Sequence, residues 1–417
     1  LSYGSLGNQK TVGYYDYLQL INTGAVMNYA FGDTTKGDYA YESAPNSTDL
    51  TWETVITKNI GLDLGFLNNR LNVSFDAYIR DTKDMLMAGK TLPGVYGASS
   101  PRMNVADLRT KGWEASVTWG DSFTLASKPF NYRIMAGIGD NTSKVTKYDN
   151  PNRTLTDPYE GQQLGEIWGY VVDGYFKTDE EARNYKVDQS FVNQMINASA
   201  LDNGLHAGDL KFVDLDGNNK IEQTTSANDR KDMKVIGNSL PRYNYNFGIS
   251  ADWYGIDFSV LFQGIGKQNW YPGAETSMFW GPYSRPYASF IPSDFMSQVW
   301  SEENTNAYFP RPRGYVALGS NRELAVVNTK YLQNLAYCRL KNLSIGYTLP
   351  DKWLSKIGFE KIRVYFSGEN LLTFTKLHSD YIDPEQASAS NSWKTSKSDA
   401  NIYPWAKTYS FGVDITF

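Results

Sequence analysis

Apolar and polar residues alternate along much of this chain. In the closing stretch 407–417, Tyr409, Phe411, Val413, Ile415 and Phe417 are apolar, while Ser410, Gly412, Asp414 and Thr416 between them are small or polar. Successive side chains of a strand point to opposite faces, so this stretch predicts a strand with one greasy and one polar side. The same period recurs upstream. Leu71, Val73, Phe75, Ala77 and Ile79 oppose Asn72, Ser74, Asp76, Tyr78 and Arg80. Ile60, Leu62, Leu64 and Phe66 oppose Gly61, Asp63 and Gly65, and Trp113, Ala115, Val117 and Trp119 oppose Glu114, Ser116 and Thr118. Ile256, Phe258, Val260 and Phe262 oppose Asp257, Ser259 and Leu261. Ile362, Val364, Phe366, Leu372 and Phe374 oppose Arg363, Tyr365, Ser367 and Glu369. Mid-strand charges inside a closed core would each cost several kcal/mol unless paired; facing water they cost little. Two architectures fit: a sandwich with a solvated outer face, or a barrel with its greasy side in lipid and its charged side in a wet lumen.

Connection lengths separate the two. The pattern predicts strands near 51–66, 70–83, 110–119, 129–142, 241–253, 255–268, 333–349, 361–374 and 406–417, with a partial one at 1–8. The connections 67–70, 120–128, 253–257 and 351–361 are short; 9–50, 84–109, 143–240, 269–332 and 375–405 are long. Consecutive antiparallel strands then put every long connection at one end, which is the plan of outer-membrane barrels: tight periplasmic turns and long external loops. A sandwich has no reason to sort its loops this way. The expected fold class is therefore all-β, a transmembrane antiparallel β-barrel with about ten strands. The partial first strand and the size of the loops make the chain read as the C-terminal part of a larger barrel. Two large external loop regions, 143–240 and 269–332, are expected to carry function, because long connections in compact folds are usually functional.

Composition narrows the picture further. The 417 residues are 41% hydrophobic, yet mean hydropathy is negative and no run of about 18 apolar residues occurs. That excludes a helical membrane protein and leaves a barrel untouched. Aromatics reach 15%, with 30 Tyr and 11 Trp, enough for girdles at two membrane interfaces or for a carbohydrate surface. A net charge of -5 gives no support for nucleic-acid binding. The single cysteine, Cys338, cannot form an internal disulfide and reads as a buried, inert thiol. The opening residues 1–10 have neither the basic start nor the apolar core of a signal peptide.

Several stretches, in order and at matching spacing, carry a resemblance. They are "GASSPRMNVADLRTKGWEASVTW" (97–119), "GQQLGEIWGYVVDGYF" (161–176), "AGDLKFVDLDGNNKI" (207–221), "KVIGNSLPRYNYNFGISADWYGIDFSVLFQGIGKQNWY" (234–271), "YLQNLAYCRLKNLSIGYTLP" (331–350) and "FSGENLLTFTK" (366–376). Together they resemble the SusC/RagA-like TonB-dependent transporters along nearly the whole chain. The resemblance implies an outer-membrane barrel of about 22 strands in the whole protein, with an internal plug domain. It implies a SusD-like surface lipoprotein as a lid, and a pairing of two transporter–lipoprotein units as a further assembly. It also implies import of glycans or peptides, driven through the TonB complex. The plug and the TonB-contacting segment are not in these residues. Under the resemblance, Tyr409, Phe411, Val413, Ile415 and Phe417 look like the signal read by the barrel-assembly machinery.

Two local motifs are candidate sites. In "DLDGNNKIE" (214–222), Asp214, Asp216 and Asn218 take positions 1, 3 and 5 of an EF-hand-type loop, and Lys220 at position 7 would offer its carbonyl. Glycine stands at position 4 rather than 6, and Thr225 rather than Glu at 12, so Glu222 or Asp229 would have to complete a Ca²⁺ or Mg²⁺ site. The alternative is a Gly/Asn turn held by its own side-chain hydrogen bonds. The second motif is the aromatic stretch 269–290, with Trp270, Tyr271, Phe279, Trp280, Tyr283, Tyr287 and Phe290, and Arg285 to bond hydroxyls or a carboxylate. Flat rings suit sugars, and equally suit packing against a lid or within the loop; Trp393 and Trp405 share the ambiguity. The carboxylates of "WETV" (52–55) and "SDYIDPEQ" (379–386) read as solvated. No GxSxG, GxxxxGK[ST], HExxH or cysteine pair is present, so a barrel enzyme ranks behind a transporter and behind a surface receptor or adhesin that binds without passage.

Overall fold

In the computed structural model the described residues are 1–9, 18–25, 38–43, 45–47, 50–90, 92–97, 100–193, 204–284, 290–312, 314–319, 322–354, 358–387, 397–398 and 403–417. Ten strands make one sheet: β1 (Ser2–Asn8), β2 (Glu53–Phe66), β3 (Leu71–Ala88), β4 (Arg102–Leu125), β5 (Lys128–Lys147), β6 (Arg242–Trp253), β7 (Ile256–Lys267), β8 (Tyr337–Thr348), β9 (Lys361–Thr375) and β10 (Thr408–Thr416). They lie side by side in chain order, with β1 and β10 at the two ends of the order. The alternation predicted this number and this sequence of strands. No helix among the described residues is long and apolar enough to cross a membrane.

The boundaries of three strands differ from expectation. β3 continues to Ala88, β4 spans 24 residues and β5 spans 20. The expected connection 84–109 therefore shrinks to 89–101. The expected turn 120–128 shrinks to Ala126–Ser127, both residues with positive φ (49° and 63°), as a two-residue hairpin turn with the twist of its strands requires. At about 3.3 Å per residue β4 is roughly 80 Å long, well beyond a hydrocarbon layer of about 30 Å. Its polar half has no apolar period to read, and cross-strand polar contacts hold it instead.

Contacts divide the chain into two compact units. One comprises Leu1–Ile60, Ala77–Gly112 and Thr142–Gln163; the other comprises Gly61–Asp76, Trp113–Asn141 and Leu164–Phe417. In the first unit, β1 pairs antiparallel with β2 from Ser2↔Asn59 to Asn8↔Glu53. Arg109 Nε donates to Asp81 Oδ1 at 2.6 Å, and Lys83 Nζ lies 2.7 Å from Asp107 Oδ2. Glu53, expected in solvent, is buried and accepts the backbone N–H of Leu86 at 2.9 Å and the amide of Asn8 at 3.0 Å.

In the second unit the ladder from β5 to β10 sets both faces. On the greasy face, the register aligns Tyr132, Ala251, Phe258, Ile345, Phe366 and Phe411 across six strands. Phe247 stacks on Phe262 in the neighbouring pair, with centroids 4.8 Å apart. On the other face Arg133 is followed by Ser250, Ser259, Ser344, Ser367 and Ser410, one serine per strand. Asp257 lies on this polar face, bonded to Arg363 at 2.8 and 2.6 Å, and Arg363 reaches Asp414 at 3.3 Å. The expected sidedness of Asp257 and Glu369 thus agrees with the register. Gly412 is required in this arrangement, since a Cβ there would stand 2.3 Å from the Tyr365 ring.

The face assignment predicts a labelling pattern in the full-length protein carrying Cys338→Ser. Phe411→Cys and Val413→Cys should react with a membrane-partitioning maleimide and resist an impermeant one, while Ser410→Cys should do the reverse. The opposite pattern would place the serine row in lipid.

Candidate functional site: the loop layer of the second unit

In the second unit, the connections that run on from Leu164, Gln268 and Lys376 share one hydrophobic core. Trp270, Tyr271, Phe279, Trp280 and Tyr283 are its centre, joined by Phe295, Phe309, Tyr331, Leu377 and Ile382. Phe279 meets Trp280 edge-on at 4.8 Å, Trp280 meets Tyr331 at 5.1 Å, and Phe295 stacks on Phe309 at 4.7 Å. The polar tips are satisfied internally. Tyr271 Oη donates to the Leu324 carbonyl at 2.9 Å, Tyr283 Oη to Pro310 at 2.7 Å, and Trp280 Nε1 to Gly273 at 3.0 Å. Burial pushes the Tyr271 hydroxyl well above the usual tyrosine range. Gly281 has positive φ (51°), and a Cβ there would meet the Phe295 ring at 2.7 Å, so the turn admits glycine alone.

Of the readings open for the aromatic stretch, burial favours packing within the loop for Trp270, Tyr271, Phe279, Trp280 and Tyr283 over contact with a sugar or a lid. Trp270, Tyr271 and Trp280 have no exposed area. They build the loop layer and present nothing to a sugar or a lid. The physical reason is that a long connection needs a core of its own, and large rings bury the most apolar area per residue. Arg285, Tyr287 and Trp393 lie outside the described residues. Phe290 is exposed and packs edge-on against Tyr381 at 4.7 Å. Trp405 is also exposed, under the Lys341 ammonium at 5.7 Å.

A correction concerns "SDYIDPEQ". Asp383 is buried rather than solvated. It takes Arg339 Nη2 at 2.6 Å, while Glu385 takes Arg339 Nη1 at 2.7 Å and Lys341 Nζ at 3.0 Å. A register shift between Leu340 and Asn342 of β8 brings both cations to these loop acids, and Asp383 also accepts the Trp405 backbone N–H at 3.1 Å. The last connection is thereby tied to the wall.

The acidic turn forms from its own bonds. Asp214 accepts the N–H groups of Gly217 and Asn219 at 2.7 Å each, Asp216 accepts that of Asn218 at 3.1 Å, and Asn218 accepts that of Lys220 at 2.8 Å. Asn219 and Gly217 supply the positive φ the turn needs. Asp214 and Asp216 converge, and the third carboxylate beside them is Asp232, within 4.8 Å. The sequence reading missed it because Asp232 arrives from a separate turn with no spacing rule to announce it. Asp232 is fully buried and accepts the N–H of Leu215 at 2.9 Å and of Glu222 at 2.7 Å. Burial, with Asp216 and Asp214 adding repulsion, holds its carboxyl above the usual range. The side chains of the other candidate residues have contacts of their own. Glu222 is occupied by Lys231 at 3.4 Å and Asn218 at 3.1 Å, Lys220 leans toward Glu222 at 3.8 Å, and exposed Asp229 closes a turn on Ser226. An all-oxygen donor set of three carboxylates suits a hard cation.

On the polar face of β5–β7, Asn131, Arg133, Ser250, Asp252, Asp257 and Ser259 line an open groove of about 380 Å³. The terminal apolar residues Tyr409, Phe411, Val413 and Ile415 are exposed on the opposite, greasy face apart from their strand partners, and Phe417 just beyond β10 is exposed as well.

The family model described as TonB dependent receptor-like, beta-barrel, matches residues 13–371. The chain belongs to this TonB-dependent receptor family. TonB-dependent receptor P3 of Formosa agariphila is 28% identical over the whole chain and 39% of its own length. TonB-dependent receptor SusC of Bacteroides thetaiotaomicron is 24% identical over the whole chain and 37% of its own length. The structure of the RagAB peptide importer in its open-open state superposes with a TM-score of 0.71 at 22% identity, covering all of this chain and 39% of that one. The chain thus spans about two-fifths of the relatives it matches, a portion of a TonB-dependent receptor β-barrel.

Two outcomes follow for this receptor chain. Trp280→Ala in the full-length protein should destabilise the loop layer by about 3–5 kcal/mol, the usual range for a buried large-to-small change. Limited proteolysis would then cut within 268–336 while the heat-modifiable mobility of the barrel stays native; unchanged protease resistance would contradict the core assignment. If the acidic turn takes calcium, terbium luminescence sensitised by nearby tyrosines should be displaced by Ca²⁺ and abolished by Asp214→Asn or Asp232→Asn. Luminescence equal in the wild type and both variants would leave a self-sufficient turn.

Proposed function

We propose that this chain is wall and rim of an outer-membrane importer that takes up glycans or peptides with a SusD-like lipoprotein lid, powered through TonB. The observation that carries the reading is the asymmetry of the ladder in the second unit. The connections after β5, β7 and β9 leave the same end of a sequential antiparallel ladder, are consolidated by one aromatic core and are tied to β8 by Arg339. A rim held this firmly supports a stable interface of the usual thousand-odd square ångströms. The exposed Phe290 and Tyr381 pair is the residue type that anchors such contacts. A Ca²⁺ or Mg²⁺ ion held by Asp214, Asp216 and Asp232 would stiffen the same layer. The exposed alternation ending at Phe417 would serve recognition by the barrel-assembly machinery, and two transporter–lipoprotein units would pair. Family membership supports transport over catalysis.

Uptake separates this reading from a receptor that binds without passage. Cells lacking the full-length protein should lose uptake of one labelled glycan or peptide from a defined panel. Cells lacking TonB should retain surface binding of that compound and lose its uptake. A tagged full-length protein should co-purify the lipoprotein. Uptake unaffected in both strains, with binding lost only in the first, would point to a receptor.

A further inference from the structure

One cation of the loop layer stands apart from the ion pairs described above. Lys330 is half-buried. Its ammonium lies 4.8 Å from the centroid of the Tyr175 ring and 5.5 Å from that of Tyr308. Its polar contact is the Ala307 carbonyl at 3.5 Å. Among the described residues no carboxylate stands within ion-pair distance of it, and the depression of its pKa comes from burial, with no acid opposing it. Other lysines differ: in this layer Lys211 has Asp173 and Glu181 and Lys231 has Glu222, and on β8 Lys341 has Glu385.

The surroundings of Lys330 are rigid. Tyr175 Oη donates to the Tyr308 carbonyl at 2.5 Å and lies 2.9 Å from Tyr331 Oη. Gln333 Nε2 donates to Tyr308 Oη at 2.8 Å. His378 stacks on the Tyr308 ring, centroids 3.5 Å apart and planes 15° from parallel, with its Nε2 2.8 Å from Gln298 Oε1. His378, Tyr308, Lys330 and Tyr175 therefore form a fixed array whose outer member, His378, is exposed. Ring faces attract an ammonium without neutralising it. A desolvated cation held this way gains most from an anion that arrives with its own oxygens, because charge-assisted hydrogen bonds are the strong ones.

We propose that the Lys330 ammonium, fixed between Tyr175 and Tyr308 with His378 beside it, is a binding point for a carboxylate group on the imported compound. The inference rests on the import reading above and narrows it: the loop layer favours acidic oligomers. The carboxylate is that of a uronic acid or of an acidic peptide, and the two sources are separable by probe.

The test uses the full-length protein purified in detergent and four probes: tetragalacturonate, its methyl ester, acetylated and amidated tetra-aspartate, and the corresponding tetra-asparagine. The wild type should bind one of the two acidic probes. Lys330→Met should weaken that binding about tenfold or more, as expected for loss of a hydrogen bond to a charged group, and leave the neutral probes unchanged. Lys330→Arg should retain most of the affinity. A purely structural role for Lys330 would instead lower thermal stability and alter acidic and neutral probes alike. Equal affinity of Lys330→Met and wild type for the acidic probe overturns the assignment, and so does failure of the wild type to bind either acidic probe. In the latter case, binding of a neutral probe would leave the import reading standing.

Discussion

The register of the ladder from β5 to β10 is the constraint on which the second unit depends. A slip of one residue in any pair would exchange the two faces of that strand. Phe258, Ile345, Phe366 and Phe411 would then share a surface with Asp257 and Arg363. The register is held from both sides. Aromatic and β-branched pairs favour it on the greasy face, and the Asp257–Arg363–Asp414 bridge favours it on the polar face. Close approach of Tyr365 to the glycine at 412 removes the remaining freedom, since no larger residue fits beneath the ring.

Two kinds of energy hold the loop layer to this frame. Within the layer, rings buried against rings contribute through area and edge-to-face geometry. Between the layer and β8, Arg339 is buried with two carboxylates. Removing Arg339 would leave Asp383 buried without its cation, a loss that typically costs about 3–5 kcal/mol, while Glu385 would keep Lys341. The aromatic core therefore gives the loops their shape, and the Arg339 cluster fixes where that shape sits on the strand.

Much of the fold was legible because strands with one lipid face must alternate, and Tyr409 to Phe417 or Leu71 to Ile79 do so without a break. The end of β3 and the polar ends of β4 and β5 were not legible: Asp107 and Arg109 fall in a stretch without an apolar period, and the partners that hold them in the sheet, Lys83 and Asp81, lie on the neighbouring strand. For the loop aromatics the sequence left contact with a sugar, packing against a lid and packing within the loop all open. Sequence shows that Trp270 and Trp280 exist in a loop, whereas burial depends on Phe295, Phe309 and Tyr331 returning from elsewhere in the chain. Asp214 and Asp216 were visible by spacing; Asp232 and Lys330 were not, since each owes its environment to segments distant in sequence. Asp383 was misread for the same reason: its partner, Arg339, is 44 residues away.

The serine row has a further consequence. Each hydroxyl both donates and accepts, its hydrogen can rotate, and it carries no fixed charge. Across β6 to β10 the polar face therefore offers, at one level, donors and acceptors that can reorient, with water completing the set, and Arg133 on β5 is the charged member of the row. A surface of this kind answers either a donor or an acceptor and does not by itself sort polar groups by charge.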